Sequence, residues 1–241
     1  MTTAPEFEIE PVTFTTSDNY NLSGAIYRPK DPSCAVLISG GTGFPKEFYR
    51  HVASHYAIMG ALVMLFDYRG IGGSAPDSLV DCGIGYTDWG RLDMPAALDA
   101  LSVQASGLPI YHLAHSVGGH FAGFMPSDFG WKGMALPKGV FTTWKRWCHN
   151  PSYYEDELKS SLRPHHFDAV TAPIKSWIYT DDPIANTETA PDILRCYTKA
   201  PSEIVIQKPS ELGVKAVGHQ SAFRRGNEQL WDQWWNWFNQ L

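Results

Sequence analysis

A short apolar run, Ile110-Tyr111-His112-Leu113, stops at Ala114-His115-Ser116-Val117-Gly118-Gly119, and His120 to Phe124 then reads as the opening of a helix. A buried strand that passes into a helix through so few residues must turn sharply. The small residues two before and two after Ser116, Ala114 and Gly118, leave room for strand and helix to crowd together. Such a turn holds the apical hydroxyl clear of the sheet, in front of a helix N-terminus that favours developing negative charge. Ser116 is therefore a candidate nucleophile, and its context decides how far that reading goes.

The context is an alternation of strands and helices. Phe7 to Thr15 and Leu22 to Tyr27 alternate like paired antiparallel strands around the turn-rich Ser17-Asp18-Asn19. Continuous apolar runs follow at Ala35 to Ser39 and Ala61 to Phe66, then the run before Ser116, then Ile174 to Tyr179 and Ile204 to Ile206. Helical patterns fall between them, at about Lys46 to Met59, Thr87 to Val103 and Thr189 to Tyr197, with a last one from Ala222 to Phe238. Gly60 is placed to cap the first. Apolar strands alternating with helices predict an α/β fold with a mostly parallel twisted sheet covered on both faces. No repeat or low-complexity linker interrupts the pattern, so one domain over residues 1–241 is expected.

Composition narrows the function. A chain of 241 residues with 44% hydrophobic and 18% charged residues can bury a substantial core and is not disordered. Its net charge of −6, without a basic run, gives no support for a nucleic-acid partner. No apolar stretch reaches the roughly 18–20 residues of a transmembrane segment. The first residues lack a basic region followed by an apolar one, so a cytoplasmic location is the expectation. Cys34, Cys82, Cys148 and Cys196 are scattered without a C-x-x-C pair, which predicts free thiols rather than a disulfide framework or zinc site. His51 and His55 are four apart but have no third ligand, and Glu155-Asp156-Glu157 reads as a solvated helix start. Neither a metal nor an organic cofactor is expected.

If Ser116 is the nucleophile, an acid and then a base should follow in the chain, each just past a strand end. Asp181-Asp182 follows the Ile174–Tyr179 run, and Asp182 is favoured over Asp181 because a residue further from the strand end turns inward to meet the base. His219 follows the Ile204–Ile206 run and is the only histidine beyond that pair. His219 would then take the Ser116 proton and return it to the leaving group, while Asp182 orients the imidazole. Oxyanion donors are expected from the Val117 amide and from the glycine-rich loop Gly40-Gly41-Thr42-Gly43, with Gly41 ahead of Thr42.

With these residues in place the chain resembles the α/β-hydrolase superfamily, in particular bacterial serine hydrolases of the α/β-hydrolase-1 or serine-aminopeptidase-like type. The resemblance is carried by Gly40 to Pro45 with Phe48-Tyr49-Arg50, by Asp67-Tyr68-Arg69-Gly70-Ile71-Gly72-Gly73-Ser74, by Ala114 to Gly119, by Trp177 to Pro183 and by Gly218-His219. It implies that Asp67 and Arg69 shape a turn and do no chemistry. It also implies a small cap segment, here about residues 125–172, in which Trp144, Trp147 and Tyr153, with Tyr154, could wall an acyl- or alcohol-binding site. The chain departs from the family pattern after Phe124. Of the stretch from Met125 to Pro173 only Gly139 to Trp144 resembles a strand, as though a segment after the nucleophile helix were missing. Unless another segment substitutes for that strand, the acid-bearing strand could pair directly with the strand before Ser116. Asp182 and His219 would then move by about one strand spacing, ~4.8 Å, enough to disable proton transfer.

The C-terminal Trp231, Trp234, Trp235 and Phe238 share one helical face. Docked on the sheet they are core; left exposed they would form a homodimer face. The leading expectation is a serine hydrolase acting on a small-molecule acyl substrate, a carboxylic ester ahead of an amide or thioester. An acyltransferase on the same residues and a non-catalytic binding protein of the same fold are the alternatives.

Overall fold

Every residue of β3 (Cys34–Ser39) and β4 (Ala61–Phe66) is buried, because the two strands are covered on both faces. Ala35 and Leu37 of β3, with Leu62, Met64 and Phe66 of β4, face one core; Val36 and Ile38, with Ala61, Val63 and Leu65, face the other. An unbroken apolar run is thus two interleaved period-2 faces. The computed structural model describes residues 7–124, 143, 146–150 and 152–241. Around β3 and β4 lies a five-stranded sheet of order β1-β2-β4-β3-β5, completed by β1 (Phe7–Thr15), β2 (Asn21–Pro29) and β5 (Ile110–Ala114). β1 pairs antiparallel with β2 along its whole length, and β2 antiparallel with β4. The pairs β3–β4 and β3–β5 are parallel.

Helices cover both faces. α1 (Arg50–Ile58) lies on one, preceded by a 3-10 turn over Lys46–Tyr49 and followed by Gly60 at φ +94°, the left-handed conformation expected of a C-terminal cap. α2 (Met94–Ala105) lies on the other. The helix expected from Thr87 instead begins as a π turn over Trp89–Asp93. Pro95, at the start of α2, has no N–H for the carbonyl four residues back, which opens the ladder there. α3 (Val117–His120) follows Ser116, and α4 (Glu228–Phe238) closes the chain on the α1 side.

β6 (Ile174–Tyr179) and β7 (Ser202–Gln207) form a separate parallel pair. Of the two arrangements that a missing strand would leave open, direct pairing of β6 with β5 is not seen: among the described residues the two strands share no ladder. Tyr111 of β5 stacks on Phe238 at 4.9 Å between ring centroids, while Trp177 of β6 packs edge-on against Trp234 and Trp237 at 6.4 and 6.0 Å. α4 therefore contacts both strands. Trp231, Trp234, Trp235 and Phe238 are all buried, so the chain itself covers that face.

Candidate active site

Ser116 stands between β5 and α3 at φ +53°, ψ −106°. A non-glycine residue there costs about 1–3 kcal/mol and persists only where its surroundings over-determine it. The Val117 amide begins α3, where helix geometry provides no intrahelical acceptor.

The acid and base come from the loops after β6 and β7. His219 Nδ1 donates to Asp182 Oδ2 at 2.8 Å, and Asp182 Oδ1 accepts the Ile184 and Ala185 amides at 2.8 and 2.9 Å. Burial alone would push the Asp182 carboxyl up; the imidazole and the two amides outweigh it, and its pKa lies below the ordinary value. Asp181 turns the other way: its Oδ2 accepts the Val217 amide at 2.8 Å and ties down the start of the His219 loop. His219 Nε2 is buried and makes no hydrogen bond, and the Ser116 hydroxyl has no partner among the described residues.

His115, beside Ser116, organises the surroundings. Its Nε2 donates to the His219 main-chain oxygen at 2.7 Å, and its Nδ1 accepts the Tyr49 hydroxyl at 2.8 Å. Tyr49 Oη in turn accepts the Gly41 amide at 2.5 Å. Its phenol is wholly buried, which pushes its pKa well above the ordinary value. This chain of bonds links the glycine-rich loop, the turn before α1, the Ser116 turn and the His219 loop. In the sequence Tyr49 stands only as part of the resembling stretch Phe48-Tyr49-Arg50, and nothing there signals that it meets a residue 66 positions away.

The same bonds reorder the oxyanion candidates. Gly41 already donates its amide to Tyr49. Thr42 is buried, with its hydroxyl 2.9 Å from that of Tyr86.

Asp67 and Arg69 are built into turns. Asp67 Oδ1 accepts the Lys46 amide at 2.6 Å, and its Oδ2 accepts Lys46 Nζ at 2.7 Å and the Gly73 amide at 2.9 Å. Arg69 is sandwiched between Asp93 and Asp18, each at 2.7 Å. Of the expected aromatic wall, Trp144 lies outside the described residues. Trp147 is fully buried against Tyr86, Phe121 and Tyr154. Tyr153 is half-buried beside His120, with its hydroxyl 3.2 Å from Nδ1. The four cysteines are free thiols. Among the described residues no three His, Cys, Asp or Glu side chains cluster as metal ligands, and no helix is long and apolar enough to cross a membrane.

No family model and no curated protein matches this chain in sequence. Solved structures do match it. It is similar to the esterase Pf2001 of Pyrococcus furiosus, at 17% identity and a TM-score of 0.63 over 100% of this chain and 94% of that one. A thermostable carboxyl esterase from Bacillus coagulans matches at 14% identity and 0.65, covering 96% and 98% of the two chains. The dienelactone hydrolase of Anabaena variabilis matches at 16% identity and 0.65, covering 98% of each. The chain has the α/β-hydrolase fold.

Proposed function

We propose that this protein is a serine hydrolase that cleaves carboxylic esters through an acyl-enzyme. The observation that carries the reading is the joint geometry of a serine held on a strained strand-to-helix turn and a carboxylate-paired histidine whose loop is bonded to the residue beside that serine. Ser116 Oγ attacks the ester carbonyl carbon and passes its proton to His219 Nε2. The carbon–oxygen bond to the alcohol breaks, and the alcohol leaves with that proton. Water then attacks the acyl-enzyme, again giving its proton to Nε2, and Ser116 recovers the proton as the acid departs. Asp182 holds the imidazole through Nδ1 and stabilises the imidazolium. The Val117 and Thr42 amides are the oxyanion donors in this reading, since the Gly41 amide is bonded to Tyr49. The matched structures that are esterases agree with an ester substrate.

A binding protein without catalysis is the second reading, favoured by the absence of a hydrogen bond on His219 Nε2. A fluorophosphonate probe separates the two. Stoichiometric labelling of the wild type and none of Ser116→Ala supports catalysis; no labelling of the folded wild type overturns it.

A further inference from the structure

Gly41 and Thr42, neighbours in the glycine-rich loop, are held from opposite faces of the sheet. Tyr49, whose hydroxyl accepts the Gly41 amide, belongs to the core under α1. Tyr86, whose hydroxyl lies 2.9 Å from Thr42 Oγ1, belongs to the core under α2. Burial pushes the Tyr86 phenol well above its ordinary pKa, so it stays protonated and able to donate to Thr42.

Local structure fixes where the Tyr86 ring sits. Asp88 Oδ2 accepts the Gly85 amide at 2.7 Å, and the Asp88 amide donates to the Gly85 carbonyl at 3.2 Å, which closes the turn carrying Tyr86 before the π turn begins. The ring is buried and packs edge-on against Phe121 at 4.8 Å and Trp89 at 5.4 Å. Phe121 in turn donates its amide to the Val117 carbonyl at 3.1 Å. One phenol thus meets Thr42 with its hydroxyl and, with its ring, the residue one helical turn beyond Val117.

That span matters because the two oxyanion donors stand on different elements, Thr42 on the loop after β3 and Val117 at the start of α3. The β3–β5 ladder reaches Ser39 and Ala114, and the His115 amide adds a bond to the Ser39 carbonyl at 3.1 Å. Thr42 and Val117 both lie past those bonds. Both donors must stand about 2.7–3.1 Å from the same developing charge, so small shifts of either loop weaken the site. A phenylalanine against a valine would fill the same core without taking two hydroxyls out of water. What the hydroxyl pair adds is direction.

We propose that Tyr86 is a positioning residue for the oxyanion hole: its hydroxyl holds Thr42 and its ring holds Phe121, so that the Thr42 and Val117 amides converge on one oxygen. The role rests on the hydrolase reading of the site, and the two can fail separately. Tyr86→Phe keeps the ring and removes the hydroxyl. Its kcat for p-nitrophenyl acetate should fall about tenfold at unchanged KM, short of the roughly 10²–10³ lost when a donor is removed outright. A trifluoromethyl ketone reads the oxyanion directly: Ser116 Oγ adds to its carbonyl, His219 takes the proton, and the adduct bears the negative oxygen. Its inhibition should weaken by the same factor as kcat. Thr42→Val approaches the pair from the other side and should lose about as much, and the double variant no more than either alone, because the hydroxyls act as one unit. Thr42→Ser keeps a hydroxyl and should retain most of the wild-type rate. A Tyr86→Phe protein with lower Tm but unchanged kcat and inhibition overturns the role and leaves the phenol as packing. Losses that multiply in the double variant overturn it too. Should Tyr86→Phe not fold, equal rates for Thr42→Val and Thr42→Ser overturn it, and a slower Thr42→Val supports it. A folded wild type that neither turns over the ester nor labels with fluorophosphonate overturns the hydrolase reading and this role with it.

Discussion

His115 Nε2 donates to the main-chain oxygen of His219 across 2.7 Å, so the residue beside the candidate nucleophile holds the loop of the candidate base. A carbonyl can only accept, which places the proton on Nε2 and leaves Nδ1 of the neutral ring to accept from Tyr49. One buried imidazole thereby fixes the separation of two loops that no described strand ties together. It also explains why the His219 loop stays beside Ser116 although β6 is not paired with β5.

Tyr49→Phe tests that linkage. It removes the acceptor of the buried Gly41 amide and the donor to His115 together. A buried polar group left unpaired costs about 1–3 kcal/mol, so the urea midpoint should fall accordingly. The His219 loop should loosen, and fluorophosphonate labelling should slow by about tenfold, the equivalent of ~1.4 kcal/mol on the barrier. An unchanged midpoint and labelling rate would mean that the phenol is passive packing.

The two neighbouring aspartates separate by role. Asp182→Asn keeps the shape but removes the charge that fixes the imidazole, and kcat for ester hydrolysis should drop by about 10⁴. Asp181→Ala removes only the acceptor of the Val217 amide. It should cost about 1–3 kcal/mol of stability with a far smaller loss of rate. The reverse order of the two rate losses would make Asp181 the acid.

The lowered pKa of Asp182 has a definite consequence for stability against pH. A carboxyl more acidic when folded contributes stability that is fully present above its unfolded value, about 3.9. That contribution is lost as the pH falls through the lower folded value. Asn at 182 cannot titrate. The difference in urea midpoint between wild type and Asp182→Asn should therefore shrink as the pH falls below about 4. A difference that grows toward low pH would reverse the assignment.

Much of this was legible in the chain. The unbroken apolar runs of β3 and β4 announce strands covered on both faces, and the small residues around Ser116 announce the turn, because both follow from local sterics. Chain order brought Asp182 and His219 together, since loops at the ends of strands in such a sheet gather at one edge. What depended on distant partners was not legible. Tyr49 meets Gly41 and His115 only after folding. Trp147 reads as a wall residue until Tyr86, Phe121 and Tyr154 surround it. The tryptophans of α4 announced an amphipathic helix but not that it would contact both β5 and β6.

Gly90 gives a test of how the core behind Ser116 holds the turn. It lies in the π turn before α2, and a Cβ there would sit 2.6 Å from Phe121 Cβ and 2.9 Å from the Phe121 main-chain oxygen. Phe121 is the residue immediately after α3, fully buried and packed on Tyr86. Because backbone as well as side chain obstructs the new methyl group, no rotamer change relieves the contact, and α3 must shift. Overpacking of this kind costs about 1–3 kcal/mol, which for a chain of this size lowers Tm by roughly 2–4 °C per kcal/mol. Gly90→Ala should therefore melt several degrees below wild type and, since α3 starts at the residue after Ser116, should also label more slowly with fluorophosphonate. Ser102→Ala, on the exposed side of α2, should change neither. A Gly90→Ala protein with unchanged Tm would show that α3 is free to move, and the strained conformation of Ser116 would then have to be imposed by β5 alone.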